Sequence, residues 1–333
     1  MQGLKVLYER TGRDGEWARL VSASTPDYTD PATGGPLPGR EQHWHIITSH
    51  RARLAEAARD WPAAATLYQS LAAWQRDRVA EALAAPAASL TPGQRNQIRN
   101  LSSTLNDLGD ILRAQEDPGC LPHYQEALAL AQRTGDRPSE AQRAIGLGNA
   151  YLDVPGLRDL DQAEHWFRHS LSLRPDTDRH GRALTLSSLG GVALERFDDA
   201  QTAGEGERVL LEHLNAAVRS YQQSLELTPA DDHQVRGITE NQLGIVYNRA
   251  GDTSQALRHY QRSIQHKEAR GDIYAAGHTH YNIAILLEED GRTSDALHYA
   301  RAALDNYRQA GPGAASDAAD AEQVITMLEQ RSH

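Results

Sequence analysis

Fifteen histidines and one cysteine are the residues of this 333-residue chain with the widest chemical reach. His43-Trp44-His45 and His278-Thr279-His280 each set two imidazoles two residues apart. Such rings bind zinc or sense pH, but on a helix an offset of two points the side chains away from each other. His259 and His266 share one helical pattern and His278 opens the next, the one arrangement that would gather three rings. The simpler reading, adopted here, is histidine at the surface. Cys120 falls at a position that wants a small packing residue, which favours a structural role over a nucleophile. Glu288-Glu289 and Asp198-Asp199 are adjacent acids, and on helices these mark a solvated face. The sequence has no Gly-rich loop ending in Gly-Lys-Ser/Thr and no Gly-x-Ser-x-Gly elbow, so neither nucleotide hydrolysis by a phosphate loop nor serine-hydrolase chemistry is expected. No catalytic constellation, cofactor site or metal site is expected.

The elements that would position these residues follow from composition and periodicity. Apolar residues make up 39% of the chain and charged residues 24%, a globular and helix-friendly balance. Lys5 and Lys267 are the only lysines beside 32 arginines, a bias of GC-rich bacterial genomes. The formal net charge is -11 and no basic stripe is visible, which argues against a nucleic-acid surface. With Cys120 alone, no intramolecular disulfide can form. The N-terminus lacks the apolar core of a signal peptide, and no run approaches the ~18 apolar residues of a membrane span. A soluble cytoplasmic protein is the expectation.

Two signatures recur. Leu-Gly stands at Leu108-Gly109, Leu147-Gly148, Leu189-Gly190 and Leu243-Gly244, with Ile283-Ala284 as a variant, at spacings of 39, 42, 54 and 40 residues. The second is a small residue, an aromatic four later, a small residue three after that, then an aliphatic. Cys120-Tyr124-Ala127-Leu128, Ala163-Phe167-Ser170-Leu171, Ala217-Tyr221-Ser224-Leu225 and Ala256-Tyr260-Ser263-Ile264 fit it. Ala296-Ala300-Ala303-Leu304 fits with the aromatic lost, and Ala64-Tyr68-Leu71 is a looser early copy. Offsets of three, four and seven share one helical face, so each repeat reads as two helices, A and B. The glycine of helix A lets helix B approach, and the aromatic fills the gap to the next repeat. Gly-Asp turns at Gly135-Asp136, Gly251-Asp252 and Gly271-Asp272, Gly291-Arg292, and Pro175 and Pro229 divide the helices.

These residues resemble the tetratricopeptide repeat, over about Leu101 to Leu328, and the long period is similar to that of kinesin light chain. HEAT repeats share the period but not the small-to-aromatic signature. The resemblance implies an all-α, right-handed α-solenoid of about six or seven helix pairs, with an extended pair near 186–228. The Gly-to-small interval grows there from twelve to 27 residues, and Gly204-Gly206 marks a turn. Residues 1–84 read as Trp-rich N-terminal helical pairs with a Pro/Gly-rich loop at 26–44, residues 94–312 as the repeat array, and residues 313–333 as a capping helix. LKVLYERTGRDGEWARLV looks like the tail of one helix, a turn and a second helix, as in the C-terminal part of a larger bacterial protein.

The resemblance also implies where a ligand sits. In this family helix A lines a concave groove at fixed offsets from the Leu-Gly pair. Here those offsets fall on Asn106, Asp107, Asp110 and Arg113; on Ile145, Asn149 and Leu152; on Ser187 and Ser188; on Asn241, Gln242, Ile245, Asn248 and Arg249; and on His278, Tyr281, Asn282, Ile285, Glu288 and Glu289. An asparagine carboxamide donates and accepts at once, so it can hold an extended peptide backbone. The acids add a preference for a ligand with basic character. A non-catalytic protein- or peptide-binding scaffold is the leading expectation. The alternatives are the sensor region of a NACHT- or NB-ARC-type signalling ATPase and a quorum-sensing peptide receptor or phosphatase.

Overall fold

A computed structural model describes residues 13–331. The expected helix tail within Leu4–Arg10 lies outside the described residues. Fourteen α-helices run through the described residues, which form no β-strand; an isolated bridge joins Thr29 to Pro36. The chain divides into two compact units at the step from Asp159 to Leu160.

The first unit holds α1 (Asp14–Ser24), α2 (Glu41–Ala57), α3 (Trp61–Ala84), α4 (Pro92–Arg113), α5 (Cys120–Thr134) and α6 (Arg137–Asp153). Each helix packs on the one before it. Trp44, Tyr68, Leu71, Leu108 and Ile111 form one buried cluster, and Val79, Ile98, Leu101, Leu105 and Ala127 a second. The Pro/Gly-rich loop ends at Arg40 rather than at residue 44, because Glu41 already opens α2. Trp44 is 1% exposed and its indole N–H donates to the Gly34 carbonyl at 3.0 Å, so one side chain both fills the core and ties the loop down.

The second unit holds α7 (Leu160–Leu173), α8 (Arg179–Thr202), α9 (Glu207–Leu227), α10 (His233–Arg249), α11 (Thr253–Ala269), α12 (Ile273–Glu289), α13 (Thr293–Ala310) and α14 (Ala315–Arg331). The α8–α9 hairpin is the extended pair, turning through Gly204. Leu304, Tyr307 and Ala303 of α13 pack against Ala321 of α14, which covers the apolar side of the last repeat.

Local chemistry explains the alternation. Gly251 and Gly271 adopt the left-handed conformation that ends a helix, at φ of 75° and 69°. The aspartate that follows each one caps the next helix: Asp252 accepts from the Gln255 N–H and Asp272 from the Ala275 N–H. Asp60, Asp136, Asp178 and Asp232 do the same for α3, α6, α8 and α10. Each such cap contributes about 1 kcal/mol.

The two repeat signatures meet directly. Tyr260 lies on Gly244 and Tyr221 on Gly190, each within its own helix pair. The aromatic therefore does more than fill the gap to the next repeat; it occupies the space that the glycine of its own helix A leaves open. Tyr124 does both, lying against Gly109 of its own pair and Gly146 of the next helix A. Tyr124, Tyr221 and Tyr260 are all at most 1% exposed, and Gly148, Gly190 and Gly244 are buried. Cys120 is fully buried, and burial pushes its thiol up to about 11, as suits a packing residue.

Candidate functional site

In the first unit the helix-A positions Asn106, Asp110 and Arg113 form one polar network. Asn106 is 6% exposed and donates from Nδ2 to Asp110 Oδ2 at 2.8 Å, while the Tyr124 hydroxyl donates to Asp110 Oδ1 at 2.7 Å. Arg113 pairs with Asp153 of α6 and stands 3.9 Å from Asp110. Asp110 keeps 41% of its side chain exposed, yet protein surrounds it on most sides. That desolvation raises its pKa, against the Tyr124 hydrogen bond and Arg113. Asp107 is pushed up to about 6 by burial and then by Asp110. These acids answer one another and their arginines before they answer a ligand. Asn149 is half-buried on α6, Ile145 is 8% exposed and Leu152 is half-buried.

In the second unit the positions on α10 and α12 meet. Asn241 Oδ1 accepts from the Thr279 hydroxyl at 2.9 Å and from Asn282 Nδ2 at 3.4 Å. Thr279 in turn accepts from Lys267 Nζ at 2.5 Å. Lys267 is 9% exposed, and burial draws its amine down to about 8, partly offset by Asp272. A buried donor thus fixes Thr279, Thr279 fixes Asn241, and Asn241 takes one hydrogen of Asn282. The Asn241 amide and the Asn282 carbonyl carry no other hydrogen bond among the described residues, so two adjacent A helices present one donor and one acceptor side by side.

The remaining expected positions divide. Gln242 and Asn248 are half-buried and unpaired among the described residues. Ile245, Ile285 and Tyr281 are half-buried against the apolar clusters, so part of each is already used in packing. Burial, with Asp320 beside it, raises the Tyr281 hydroxyl's pKa. Arg249 is exposed and pairs with Asp198 at 3.1 Å; Glu288 pairs with Arg331 of α14, and Glu289 is exposed. Ser187 is 8% exposed and Ser188 half-buried on α8.

The histidines are not simply a surface feature. His278 meets the Tyr307 hydroxyl at 3.2 Å and lies edge-on to Tyr274, while His259 stacks on Tyr247 and pairs with the buried Glu240 at 2.6 Å. His266 faces His233, 2.9 Å between Nδ1 atoms. The three rings therefore turn to separate partners, and among the described residues no group of three or more metal-ligating side chains forms. His43 stacks on Tyr28 and His45 on Trp74.

Lys267 and Thr279 were missed as site residues. A signal existed for Thr279. Thr104, Thr185, Thr239 and Thr279 each stand four residues before the Leu or Ile of the Leu-Gly pair, one turn earlier on the same face. Thr185, Thr239 and Thr279 each lie 3.4 Å from the serine of a helix B, Ser170, Ser224 and Ser263. No such regularity marks Lys267.

Residues 210–269 match the family model described as the tetratricopeptide repeat. No curated protein matches the chain in sequence. Solved structures are similar in fold. BtubC (BKLC) from P. vanneervenii is 17% identical with a TM-score of 0.53, over 73% of this chain and 91% of that one. The apo form of the quorum sensor NprR from B. thuringiensis is 15% identical with a TM-score of 0.52, over 97% and 76%. Aspartyl phosphate phosphatase F from Bacillus subtilis is 12% identical with a TM-score of 0.52, over 85% and 82%.

Proposed function

Because this chain is a tetratricopeptide-repeat protein, we propose that it is a non-catalytic scaffold that binds a protein or an extended peptide along helix A of the second unit. The observation that carries this reading is the Asn241–Asn282 pair. Its two carboxamides are held by Thr279 and Lys267 and offer one donor and one acceptor to a passing backbone. Such contacts bind main chain without demanding one side chain, as a scaffold requires. Ile245 and Ile285 flank the pair and add apolar contact. A net charge of -11 favours a partner with basic character and disfavours nucleic acid. Glu288 is already neutralised by Arg331, so the attraction is a long-range field more than one ion pair.

The test is capture of a partner from the native host, followed by affinity measurement with Asn241→Ala/Asn248→Ala/Asn282→Ala in folded protein. A loss of tenfold or more supports the reading; unchanged affinity places the partner elsewhere.

A second reading takes its support from the fold likeness to a quorum sensor and an aspartyl phosphate phosphatase over most of this chain. A peptide receptor of that kind would use the same groove. A phosphatase would dephosphorylate a response regulator, and phosphate release from an acyl-phosphorylated regulator separates the two; the scaffold reading expects none above the spontaneous rate.

A further inference from the structure

A hollow of about 220 Å3 opens between α2, α3 and α4 of the first unit, lined by His45, Ile46, Trp74, Gln75, Arg78, Val79 and Asn100 among others. A second hollow of about 440 Å3 adjoins it and shares His45, Ile46, Gln75 and Asn100. The residues named above for Asn241–Asn282 play no part in it.

Three features of the smaller hollow specify a ligand. The first is Gln75, 5% exposed and set in the floor shared by both hollows. One end of its carboxamide lies 2.9 Å from His45 Nε2, and the other end, Oε1, is buried with no hydrogen-bond partner. A buried polar atom left unmatched carries a desolvation cost that a ligand matching it recovers. Turning the amide over would exchange the donor and acceptor ends but still leave one of them unmatched. A ligand amide carries both an N–H and a carbonyl, so it answers either orientation.

The second feature is Arg78. Its guanidinium lies over the Trp74 ring, 4.7 Å from the centroid, and its charge reaches Glu41, whose pKa it helps to lower. A guanidinium seated over a ring spends no N–H on that contact, which leaves its donors for a carboxylate. His45 stacks on the same indole at 5.2 Å, which holds the ring in place. Burial, and then Arg78, lower the His45 pKa, so the neighbouring imidazole is neutral at pH 7 and leaves the guanidinium as the cation of this wall.

The third is the apolar remainder. Ile46, Val79 and the Trp74 ring border the space, and about 220 Å3 is less than the ~300–1,000 Å3 of sites that enclose drug-sized ligands. A single residue-sized group fits that description better than an extended segment does.

We propose that this cleft binds an acyl-amino-acid unit: an apolar side chain against Ile46 and Val79, an amide to Gln75, and a free carboxylate to Arg78. The same chemistry is presented by the C-terminal residue of a peptide and by a small N-acyl amino acid.

The experiment is calorimetric titration of the full chain with N-acetyl-leucine, with N-acetyl-Ala-Ala-Ala-Leu bearing a free carboxylate, and with the C-terminal amides of both. The wild-type chain should bind at least one acid tenfold or more tightly than its amide. Arg78→Gln, at an exposed position, should abolish that preference, and Gln75→Met should weaken acid and amide alike. Binding of N-acetyl-leucine as tight as that of the tetrapeptide identifies the small molecule as the source; binding of the tetrapeptide alone identifies a peptide C-terminus. Either outcome supports the site. Equal affinity for acid and amide, an Arg78→Gln variant that keeps the preference, or no heat with either acid at millimolar concentration would overturn it. None of these results bears on the Asn241–Asn282 groove, whose variant is tested separately.

Discussion

Tyr260 lies so close over Gly244 that a Cβ built on the glycine would fall 2.5 Å from ring atoms Cδ1 and Cε1. No carbon pair tolerates that distance, and the ring is 1% exposed, with no room to retreat. In an open helix Gly→Ala gains up to about 1 kcal/mol of propensity. Here the overlap dominates, and Gly244→Ala should instead destabilise the chain by about 1–3 kcal/mol. Denaturant unfolding measures it. A stabilised Gly244→Ala would mean that the ring does not occupy the notch.

Lys267 makes stability depend on alkaline pH. Its folded value is drawn down to about 8 from 10.5 by burial. Between those values the unfolded chain binds more protons than the folded one, so stability rises with pH there. The full penalty is present below about pH 8. Lys267→Met should lose this rise, and subtracting its stability profile from the parent's between pH 7.5 and 10.5 isolates the effect from other titrating groups. A flat difference would contradict the buried amine.

Asp107 acts in the acid range with the opposite slope. Burial and Asp110 raise it to about 6 from 3.8. Between those values the folded chain holds the extra proton, so this residue's contribution to stability falls as pH rises and its cost is complete above about pH 6. Asp107→Asn should therefore raise the melting temperature at pH 7 and change it little near pH 4. Equal shifts at both values would show that the carboxyl is not perturbed.

The Pro/Gly-rich loop hangs on Trp44. Trp44→Phe removes the donor to the Gly34 carbonyl at 3.0 Å while keeping an aromatic in the core. A hydrogen bond of this kind is worth about 0.5–1.5 kcal/mol net. Limited proteolysis should cut within residues 28–40 several-fold faster in the variant, with little change elsewhere. Unaltered cleavage would mean that the loop is held by other contacts.

The helix pairs were legible because their determinants are local. Leu-Gly pairs, small residues four before an aromatic, and Gly-Asp turns each act within one or two turns of chain. Gly251 and Asp252 are adjacent, so ending one helix and capping the next is written in two consecutive letters. The extended pair at α8 and α9 was readable from the lengthened interval between Gly190 and Ala217.

What the sequence by itself determined is the repeat: which residues are helical and where each helix stops; that each tyrosine lies on the glycine of its own pair, and Tyr124 also on Gly146, came only with the packed helices. Only the tertiary structure decided which polar residues remain for a partner. Asn106 and Asn241 occupy related offsets, yet Asn106 is 6% exposed, its amide given to Asp110 and its Oδ1 buried without a hydrogen-bond partner, while Asn241 is half-buried beside Asn282 with an amide still unpaired. Glu288 looked like a groove acid until Arg331, 43 residues later, took it. Gln75 carries no local signal of its role; His45, from 30 residues earlier, meets one end of its carboxamide. Hydrogen bonds and ion pairs of this kind join side chains far apart in sequence. A polar side chain's availability depends on what the packed helices bring to it, and no local spacing encodes that.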